Sequence, residues 1–349
     1  METKVVELNE SNLDIRVLKE AGKVIREGGL VAFPTETVYG LGANALNGEA
    51  VRKIFKVKER PGDNPLIIHV ADFNIDSFVE DIPEKAKKMM EKFWPGPLTL
   101  LFKKSSSIPE DTTAGLDTVG VRMPSNIIAK ELIKAAGVPI AAPSANISGR
   151  PSPTEMSRCV EDLSGKIEYI LGGGKSEVGL ESTIVDCTVN PPCVLRPGGI
   201  TLEMLKEIDS DIYIDPAVMA KPAEDLKPRA PGMKYRHYAP KAPLKIIQGD
   251  LQKTIAKINE IVQNYIDENK KVGIMATDET INEYPKGYVL SLGSRKNMSS
   301  IGKSLFEVLR SFDDANVDVI LSEAFEEIDF GVAVMNRLKK SAGYDVIKV

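Results

Sequence analysis

Residues 30–42 read LVAFPTETVYGLG, and this stretch gives the first indication of the fold. Its first four residues are apolar and stop at Pro34, which is typical of a short buried strand that ends in a turn. Thr35 and Thr37 then supply hydroxyl groups, and two glycines allow the backbone to approach a ligand closely. Ligand sites in open α/β sheets lie at such strand ends. A strand–turn–helix junction that binds nothing is the alternative interpretation.

The pattern of residues 1–214 predicts one α/β domain with a twisted, mixed sheet. Apolar residues recur at helical spacing in several segments, and short apolar runs between turn residues predict strands. The order of helices and strands lacks a strict alternation, which favours a mixed sheet over a parallel one. Helices are predicted at 13–27, 48–58, 83–93, 126–136 and 154–163, and further strands at 66–70, 98–102, 119–122, 139–142, 167–171, 183–186 and 194–196.

The remainder of the chain divides into a linker and a second domain. Residues 215–243 are rich in Pro, Lys and Ala, a composition typical of a linker. Residues 244–349 alternate regularly between strand and helix patterns, which predicts a small, Rossmann-like parallel α/β domain. That domain contains no G-x-G-x-x-G motif, so no dinucleotide cofactor is indicated there.

Composition and charge exclude several classes of protein. With 45 Lys+Arg against 50 Asp+Glu and a net charge of −5, an extended nucleic-acid-coating surface is disfavoured. No apolar run is long enough for a membrane span, and the N-terminus lacks the apolar core of a signal peptide. Three cysteines and two histidines fit neither a disulfide framework nor a His-based metal site. We therefore expect a cytoplasmic protein without a bound metal of its own.

Positive residues at the end of the helix 48–58 are candidate phosphate ligands. Lys58 and Arg60 lie just before Pro61 in the sequence. The ammonium group of lysine and the guanidinium group of arginine commonly bind phosphates in proteins. A solvated helix end that complements the helix dipole is the alternative. His69 ends the apolar strand that follows, where a lone histidine is more often a core residue than a ligand contact.

Three further groups lie at strand ends. Arg122 closes a strand just before Pro124 and can grip a carboxylate with two hydrogen bonds, or pair with an internal acid. The loop PSANISGRPSPT at 143–154 is rich in donors and suits anion binding, although a helix N-cap at its end is also compatible. Ser182 and Arg196 add a hydroxyl and a second guanidinium. These groups include hydroxyls and cations but no nucleophile and no P-loop. They favour a site that positions phosphates and neutralises their charge over one that performs covalent catalysis.

Taken together, these segments resemble the Sua5/YrdC family of threonylcarbamoyl-AMP synthases, in the long, two-domain Sua5 form. The resemblance covers nearly all of residues 1–240, and its motifs stand in the family's order and spacing. The motifs are PTETVYGLG at 34–42, K-x-R at 58–60, DNPLIIH at 63–69, TAGLDTVGVRMP at 113–124, PSANISGRPSPT at 143–154, GLESTIVD at 179–186, LRPG at 195–198 and HYAP at 237–240.

The resemblance implies a YrdC-like domain whose concave, basic site binds ATP and L-threonine side by side. Threonine would be surrounded by Thr35, His69, Arg122, Ala142 and Ser182, with Arg122 taking its carboxylate. ATP would be held by Lys58, Asn64, Thr118, Ser144, Ser152, Arg196, Tyr235 and His237. The catalytic signature would comprise Lys58, Arg60, Ser144 and Asn146, and the linker near Tyr235 would close over the site as a lid.

The reaction implied is nucleotidyl transfer. Threonine would take up bicarbonate or CO2, and the resulting carboxylate would attack the α-phosphate of ATP to release pyrophosphate. Mg²⁺ would be held mainly by the ATP phosphates. The product, threonylcarbamoyl-adenylate, would pass to a partner tRNA threonylcarbamoyl transferase, so that any tRNA binding by this chain would be weak or indirect.

Two other functions are weighed against this one. An RNA-binding protein would use the same basic concavity, but the acidic total charge disfavours it. Carbamoyl transfer to another acceptor, as in hydrogenase-maturation proteins with a similar domain, would be accompanied by zinc-finger cysteine pairs and an acylphosphatase-like segment, which this sequence lacks. A monomer is expected, without evidence from the residues.

Overall fold

The structure is a computed structural model that describes residues 2–221, 228–233 and 237–349. The chain divides into two compact units. The first comprises residues 1–148 and 152–235, and the second comprises residues 149–151 and 236–349. The short segment Gly149–Pro151 groups with the second unit, in which Arg310 donates hydrogen bonds of 3.1 and 2.8 Å from Nε and Nη2 to the Pro151 carbonyl.

The first unit is built on one mixed sheet of eleven strands in the order β1-β8-β2-β3-β7-β4-β6-β5-β9-β10-β11. Parallel and antiparallel pairs alternate irregularly across it, so the mixed sheet predicted from the sequence is confirmed. The strands are β1 (Lys4–Glu7), β2 (Val31–Phe33), β3 (Gly40–Asn44), β4 (Ile67–His69), β5 (Leu98–Lys103), β6 (Thr118–Arg122), β7 (Ile140–Ala141), β8 (Tyr169–Gly172), β9 (Thr183–Asp186), β10 (Cys193–Arg196) and β11 (Tyr213–Ile214).

Helices of this unit begin mostly where a short polar side chain can cap them. Asp14, Asn47 and Asn126 each accept hydrogen bonds from two backbone amides of the first turn that follows. The helices are α1 (Ile15–Arg26), α2 (Gly48–Lys58), α3 (Glu84–Phe93), α4 (Glu110–Thr113), α5 (Ile127–Ala136), α6 (Met156–Leu163), α7 (Leu202–Lys206) and α8 (Pro216–Met219).

Three strands of this unit, β1, β3 and β11, were not predicted from the sequence. The stretch after Thr37 was expected to turn directly towards a helix, but β3 lies between the turn and α2. Its glycines permit close packing, because a Cβ atom added to Gly42 would lie 2.7 Å from Ile140 Cγ2 and 2.9 Å from a Phe33 ring carbon. Tight contacts with neighbouring residues therefore define this strand. A prediction from local strand propensity misses it, because glycine has a low propensity for strands.

Alternate residues of the strands point to opposite faces of the sheet and form separate cores. Ala32 and Ile68 belong to a large cluster that includes buried residues of α2, α3 and α6. On the other face, Val31 and Phe33 pack with buried residues of α1 and α5. The helices α1 and α5 touch closely, since a Cβ atom on Gly22 would lie only 2.6 Å from the carbonyl carbon of Ala135.

The second face of the sheet has a different cover at strands β4, β5, β9 and β10. The apolar cluster there is formed by strand residues together with Ala230 and Met233 of the linker, and it includes no helical residue among those that the structure describes. Ile67 and Leu101 contribute its floor. Part of the segment predicted as a linker therefore packs against this face of the sheet, over strands β4, β5, β9 and β10.

The second unit contains a five-stranded sheet in the order β14-β13-β15-β12-β16, in which every pair is parallel. This confirms the parallel α/β domain predicted from the sequence. Helix α11 and strand β16 were not predicted. The elements are β12 (Leu244–Gln248), α9 (Leu251–Asp267), β13 (Val272–Ala276), a 3-10 turn (Ile281–Glu283), β14 (Tyr288–Ser291), α10 (Met298–Asp314), β15 (Val319–Glu323), α11 (Phe330–Ser341) and β16 (Val346–Lys348).

Two smaller expectations can be checked within the described part of the chain. Cys159, Cys187 and Cys193 all lie in the described part of the chain, where they are buried and not joined by disulfides, and burial raises the pKa of the Cys187 thiol. The described residues include no helix that is both long and apolar enough to cross a membrane.

Candidate active site

Strand pairing brings the ends of β4, β5 and β6 together. His69 is opposite Arg122 in the parallel pair β4–β6, and Arg122 is opposite Thr99 in the antiparallel pair β6–β5. Residues in register point to the same face, so these three side chains are neighbours at one edge of the sheet. Ala142 follows β7, which runs antiparallel to β4, so it lies beside Ile67, two residues before His69, and its amide donates a 2.9 Å hydrogen bond to the Ile67 carbonyl.

Arg122 is paired with an internal acid, the alternative that the sequence left open. Its Nη2 atom lies 2.7 Å from Oε1 of Glu36, and both side chains are 5% exposed. Neither Nη2 nor the two carboxylate oxygens of Glu36 has a partner in hydrogen-bond geometry, so proximity rather than alignment holds the pair. The Nε atom of Arg122 donates a 3.4 Å hydrogen bond to the Gly96 carbonyl. Glu36 was not singled out from the sequence, although it stands inside the 34–42 motif.

His69 is an uncharged residue at this edge. Burial, reinforced by the positive charge of Arg122, lowers its pKa to about 3. Its Nδ1 atom lies 3.3 Å from the Ile140 carbonyl oxygen, which can only accept a hydrogen bond. The neutral ring therefore carries its proton on Nδ1, and Nε2 is left as an acceptor.

Two hydroxyl groups complete this part of the site. Thr35 lies in the turn after β2 and its Oγ1 donates a 2.6 Å hydrogen bond to the Val38 carbonyl. Ser182 precedes β9, and its Oγ lies 2.8 Å from Thr99 Oγ1. Arg196 donates to Ser182 twice, from Nη2 to Oγ at 3.1 Å and from Nε to the carbonyl at 3.0 Å. The guanidinium of Arg196 is therefore fixed beside the Ser182 hydroxyl. That hydroxyl in turn contacts Thr99 on β5, the strand that pairs with the strand of Arg122.

A second group of residues forms where the end of α2 meets the loop after β7. Lys58 is 1% exposed, and its Nζ donates to the Ser144 carbonyl at 2.6 Å and to the Asn146 carbonyl. Ser144 Oγ in turn donates a 2.5 Å hydrogen bond to Asn146 Oδ1. The interpretation of this helix end as a solvated charged face is therefore wrong for Lys58, because its ammonium group is enclosed by the loop.

Arg60 and Asn64 lie beside this group. Arg60 Nη2 donates hydrogen bonds of 3.4 and 3.3 Å to the carbonyls of Asn64 and Pro65, which fixes the turn after α2. Asn64 is 2% exposed, and its buried Oδ1 has no hydrogen-bond partner. A buried amide oxygen of this kind costs free energy unless a donor reaches it, and a ligand or a water molecule can supply that donor.

The remaining predicted residues are placed as follows. Thr118 starts β6 and shares a face with Arg122, about 13 Å away at the usual rise of a strand. Ser152 is buried and its Oγ donates a 2.6 Å hydrogen bond to Glu181 Oε1. His237 belongs to the second unit, where its ring centroid lies 5.6 Å from that of Tyr238. Tyr235 lies outside the described residues.

The loop after β7 connects the two groups along the chain. Ser144 stands two residues beyond Ala142 and forms a β-bridge with Gly40 of β3. A cavity of about 650 Å³ also opens on the wall formed by Thr35 and Glu36. In the described part of the chain, no group of three or more His, Cys, Asp or Glu residues could hold a metal ion.

Comparison with known proteins assigns these features to a family. A family model described as telomere recombination matches residues 23–198, and one described as the C-terminal domain of threonylcarbamoyl-AMP synthase matches residues 200–343. The threonylcarbamoyl-AMP synthase of Pyrococcus abyssi is 50% identical over 333 residues, which cover 95% of this chain and 96% of that protein. The chain belongs to the Sua5/YrdC family. It is an enzyme of this family, as the resemblance of its motifs predicted.

Other members of the Sua5/YrdC family support the assignment over the full length. The threonylcarbamoyl-AMP synthase of Bacillus subtilis is 45% identical, covering 95% of this chain and 94% of that protein. A crystal structure of P. abyssi Sua5 complexed with L-threonine matches with a TM-score of 0.94 and 48% identity, covering 99% of this chain and 100% of that chain. The fold class predicted from the sequence is thereby confirmed.

Proposed function

We propose that this enzyme makes L-threonylcarbamoyladenylate and pyrophosphate from L-threonine, bicarbonate or CO2, and ATP. The observation that carries the proposal is the buried guanidinium of Arg122, which lies at the strand ends beside a neutral His69 and a buried acid. A guanidinium in a dry site recognises a carboxylate by two parallel hydrogen bonds. The name of the relatives and the L-threonine complex of the P. abyssi protein identify a fitting carboxylate.

Threonine is bound by five residues in this proposal. Its carboxylate pairs with Arg122, and Ser182 is held by Arg196 in position to reach the same ligand. The neutral His69 offers Nε2 as an acceptor to the threonine hydroxyl. Thr35 and the small side chain of Ala142 bound the pocket on the sides nearest β2 and β7. A substrate that lacks the hydroxyl would leave a buried acceptor unpaired, which is the physical basis of selectivity.

ATP lies along the same sheet face. Lys58 and Arg196 offset the charge of the phosphates, and Lys58 also fixes the loop that carries Ser144 and Asn146. Asn64 has an unpartnered oxygen for a donor of the nucleotide. Thr118 stands far enough from Arg122 to mark the opposite end of an extended nucleotide. Ser152, Arg60, Tyr235 and His237 complete the proposed set.

The chemical step is an in-line displacement at the α-phosphate. The carboxylate of N-carboxy-threonine attacks, and pyrophosphate leaves. Fixed positive groups favour this step because charge spreads over the phosphate oxygens in the transition state, and one such contact contributes about 2–4 kcal/mol. Mg²⁺ would be held mainly by the ATP phosphates and water, since the described residues include no cluster of acids suited to a metal, and it would offset part of the phosphate charge.

The product is a reactive mixed anhydride, so a following enzyme must consume it. We propose transfer of the threonylcarbamoyl group by a partner transferase to the adenosine next to the anticodon of tRNA, with weak or indirect tRNA binding here. The reaction would take place in the cytoplasm, where its substrates occur together.

The test is a pyrophosphate-release assay on the purified chain. We expect release from ATP only when both L-threonine and bicarbonate are present, together with formation of threonylcarbamoyl-adenylate identified by mass. Equal pyrophosphate release without threonine would reject the proposal.

A further inference from the structure

Glu36 is a buried acid to which the sequence motifs assign no role. It lies in the turn after β2, where its carbonyl accepts a 2.8 Å hydrogen bond from the Val178 amide. Its carboxylate is 5% exposed, and one oxygen lies 2.7 Å from Arg122 Nη2. Both carboxylate oxygens lack a partner in hydrogen-bond geometry. An ionised carboxylate normally has its oxygens satisfied when buried, so this one has acceptor capacity to spare.

The proposed reaction needs a group with that capacity. At neutral pH the α-nitrogen of free threonine is mostly an ammonium ion, which has no lone pair and cannot attack carbon. One carbon atom separates this nitrogen from the carboxylate that Arg122 is proposed to hold. A second acid placed against the guanidinium of Arg122 is therefore within reach of the ammonium group.

The other titratable groups near this point are unsuited to the task. His69, in β4, is neutral, and its Nε2 atom is already assigned to the threonine hydroxyl. Arg122 and Arg196, in β6 and β10, are cations. Glu181, before β9, already accepts the hydroxyl of Ser152. Lys175 and Glu177 line the adjoining cavity from the loop after β8, and Lys175 pairs with Glu155 at 2.8 Å.

We propose that Glu36 binds the α-ammonium group of threonine beside Arg122 and accepts the proton that this nitrogen must lose before it attacks bicarbonate or CO2. This inference rests on the proposed function. With bicarbonate, the nitrogen lone pair forms the N–C bond, and one C–O bond of bicarbonate breaks. The hydroxyl leaves as water, taking the second amine proton, and the first proton resides on Glu36. The products are N-carboxy-threonine, water and the neutral acid, which returns its proton to solvent after product release.

The test separates the proton transfer from the phosphoryl step. E36Q keeps the shape of the side chain but cannot accept the proton. The forward reaction from threonine, bicarbonate and ATP requires the free amine, whereas formation of ATP from threonylcarbamoyl-adenylate and pyrophosphate does not. We expect E36Q to lose about 100-fold in forward kcat, in line with loss of a general base, while its reverse rate stays within about threefold of the wild-type rate. Its residual forward rate should rise with pH, since solvent must then deprotonate threonine.

E177Q is the matched control, because Glu177 is an exposed acid on the neighbouring loop. It should match the wild type in both directions. An E36Q forward rate within threefold of wild type would refute the inference, and equal losses in both directions would show that Glu36 only positions Arg122, which also refutes it.

Two further outcomes are distinguishable. If the wild-type chain itself fails in both directions, the proposed function is wrong, whatever Glu36 does. If thermal unfolding shows that E36Q is not folded, E36D replaces it. That variant retains the acid but withdraws it from the amine, so a larger forward than reverse loss is expected and equal losses would overturn the inference.

Discussion

Replacing Arg122 tests the threonine site, and the structure fixes how the experiment must be designed. The side chain is 5% exposed and lies 2.7 Å from the buried carboxylate of Glu36. R122A would leave that carboxylate without its cation, and breaking a buried pair typically costs about 3–5 kcal/mol. This is a large part of the 5–15 kcal/mol by which domains are usually stable, so a loss of binding in R122A could reflect unfolding.

R122K avoids this difficulty. Lysine keeps a positive charge near Glu36 but cannot make two parallel hydrogen bonds to a carboxylate. One charge-assisted hydrogen bond contributes about 1.5–3 kcal/mol, so threonine affinity should fall about 10- to 150-fold. ATP affinity should change less than about threefold, because Arg122 is assigned to threonine alone. R122A should show the same order of effects, with threonine weakened more than ATP, if thermal unfolding confirms that it is folded.

Calorimetric titration of each ligand, with thermal unfolding of every variant, provides the measurement. R16A is the control, since the Arg16 side chain is 90% exposed and far from any strand end in sequence. If R122K weakened ATP more than threonine, or left threonine affinity unchanged, the assignment of the carboxylate to Arg122 would be refuted.

Three further predictions concern other parts of the first unit. K58M removes the ammonium group that holds Ser144 and Asn146, so calorimetry should show ATP affinity at least tenfold lower, whereas K56M at an exposed position should bind normally. G22A forces α1 from α5 and should lower the free energy of unfolding by about 1–3 kcal/mol in denaturant titration, whereas G62A, with open space around it, should have little effect. His69 is neutral when folded, with a pKa of about 3 against 6.5 in the unfolded chain, so its contribution to stability is present above about pH 6.5 and is lost as pH falls towards 3. H69Q should therefore unfold less steeply with acid over that range, and an unchanged acid-unfolding curve would contradict the prediction.

Much of the fold could be predicted because its signals are local. Apolar runs that stop at prolines identified β2 and β6, and the helical spacing of residues 48–58 matched α2 to the residue. The strand β3 was missed because its glycines carry no propensity for a strand, and only the tight contact of Gly42 with Ile140 reveals its place. The grouping of Gly149–Pro151 with the second unit depends on a residue distant in sequence, Arg310, and no local pattern could indicate it.

The candidate site shows the same limit. Polar residues at strand ends were expected to gather, because the ends of neighbouring strands share an edge of the sheet. Which acid pairs with Arg122 depends on where the turn after β2 places Glu36, and the sequence left that acid unnamed. Likewise, Lys58 resembles other lysines at the end of a helix. Its burial follows only from the position of the loop with Ser144 and Asn146.

A crystal structure of the chain soaked with ATP and L-threonine would test the central claim most directly. The account predicts the threonine carboxylate on Arg122, with its amine facing Glu36, and the phosphates between Lys58, Ser144 and Arg196. Threonine bound at another surface, with Arg122 still paired with Glu36, would contradict it.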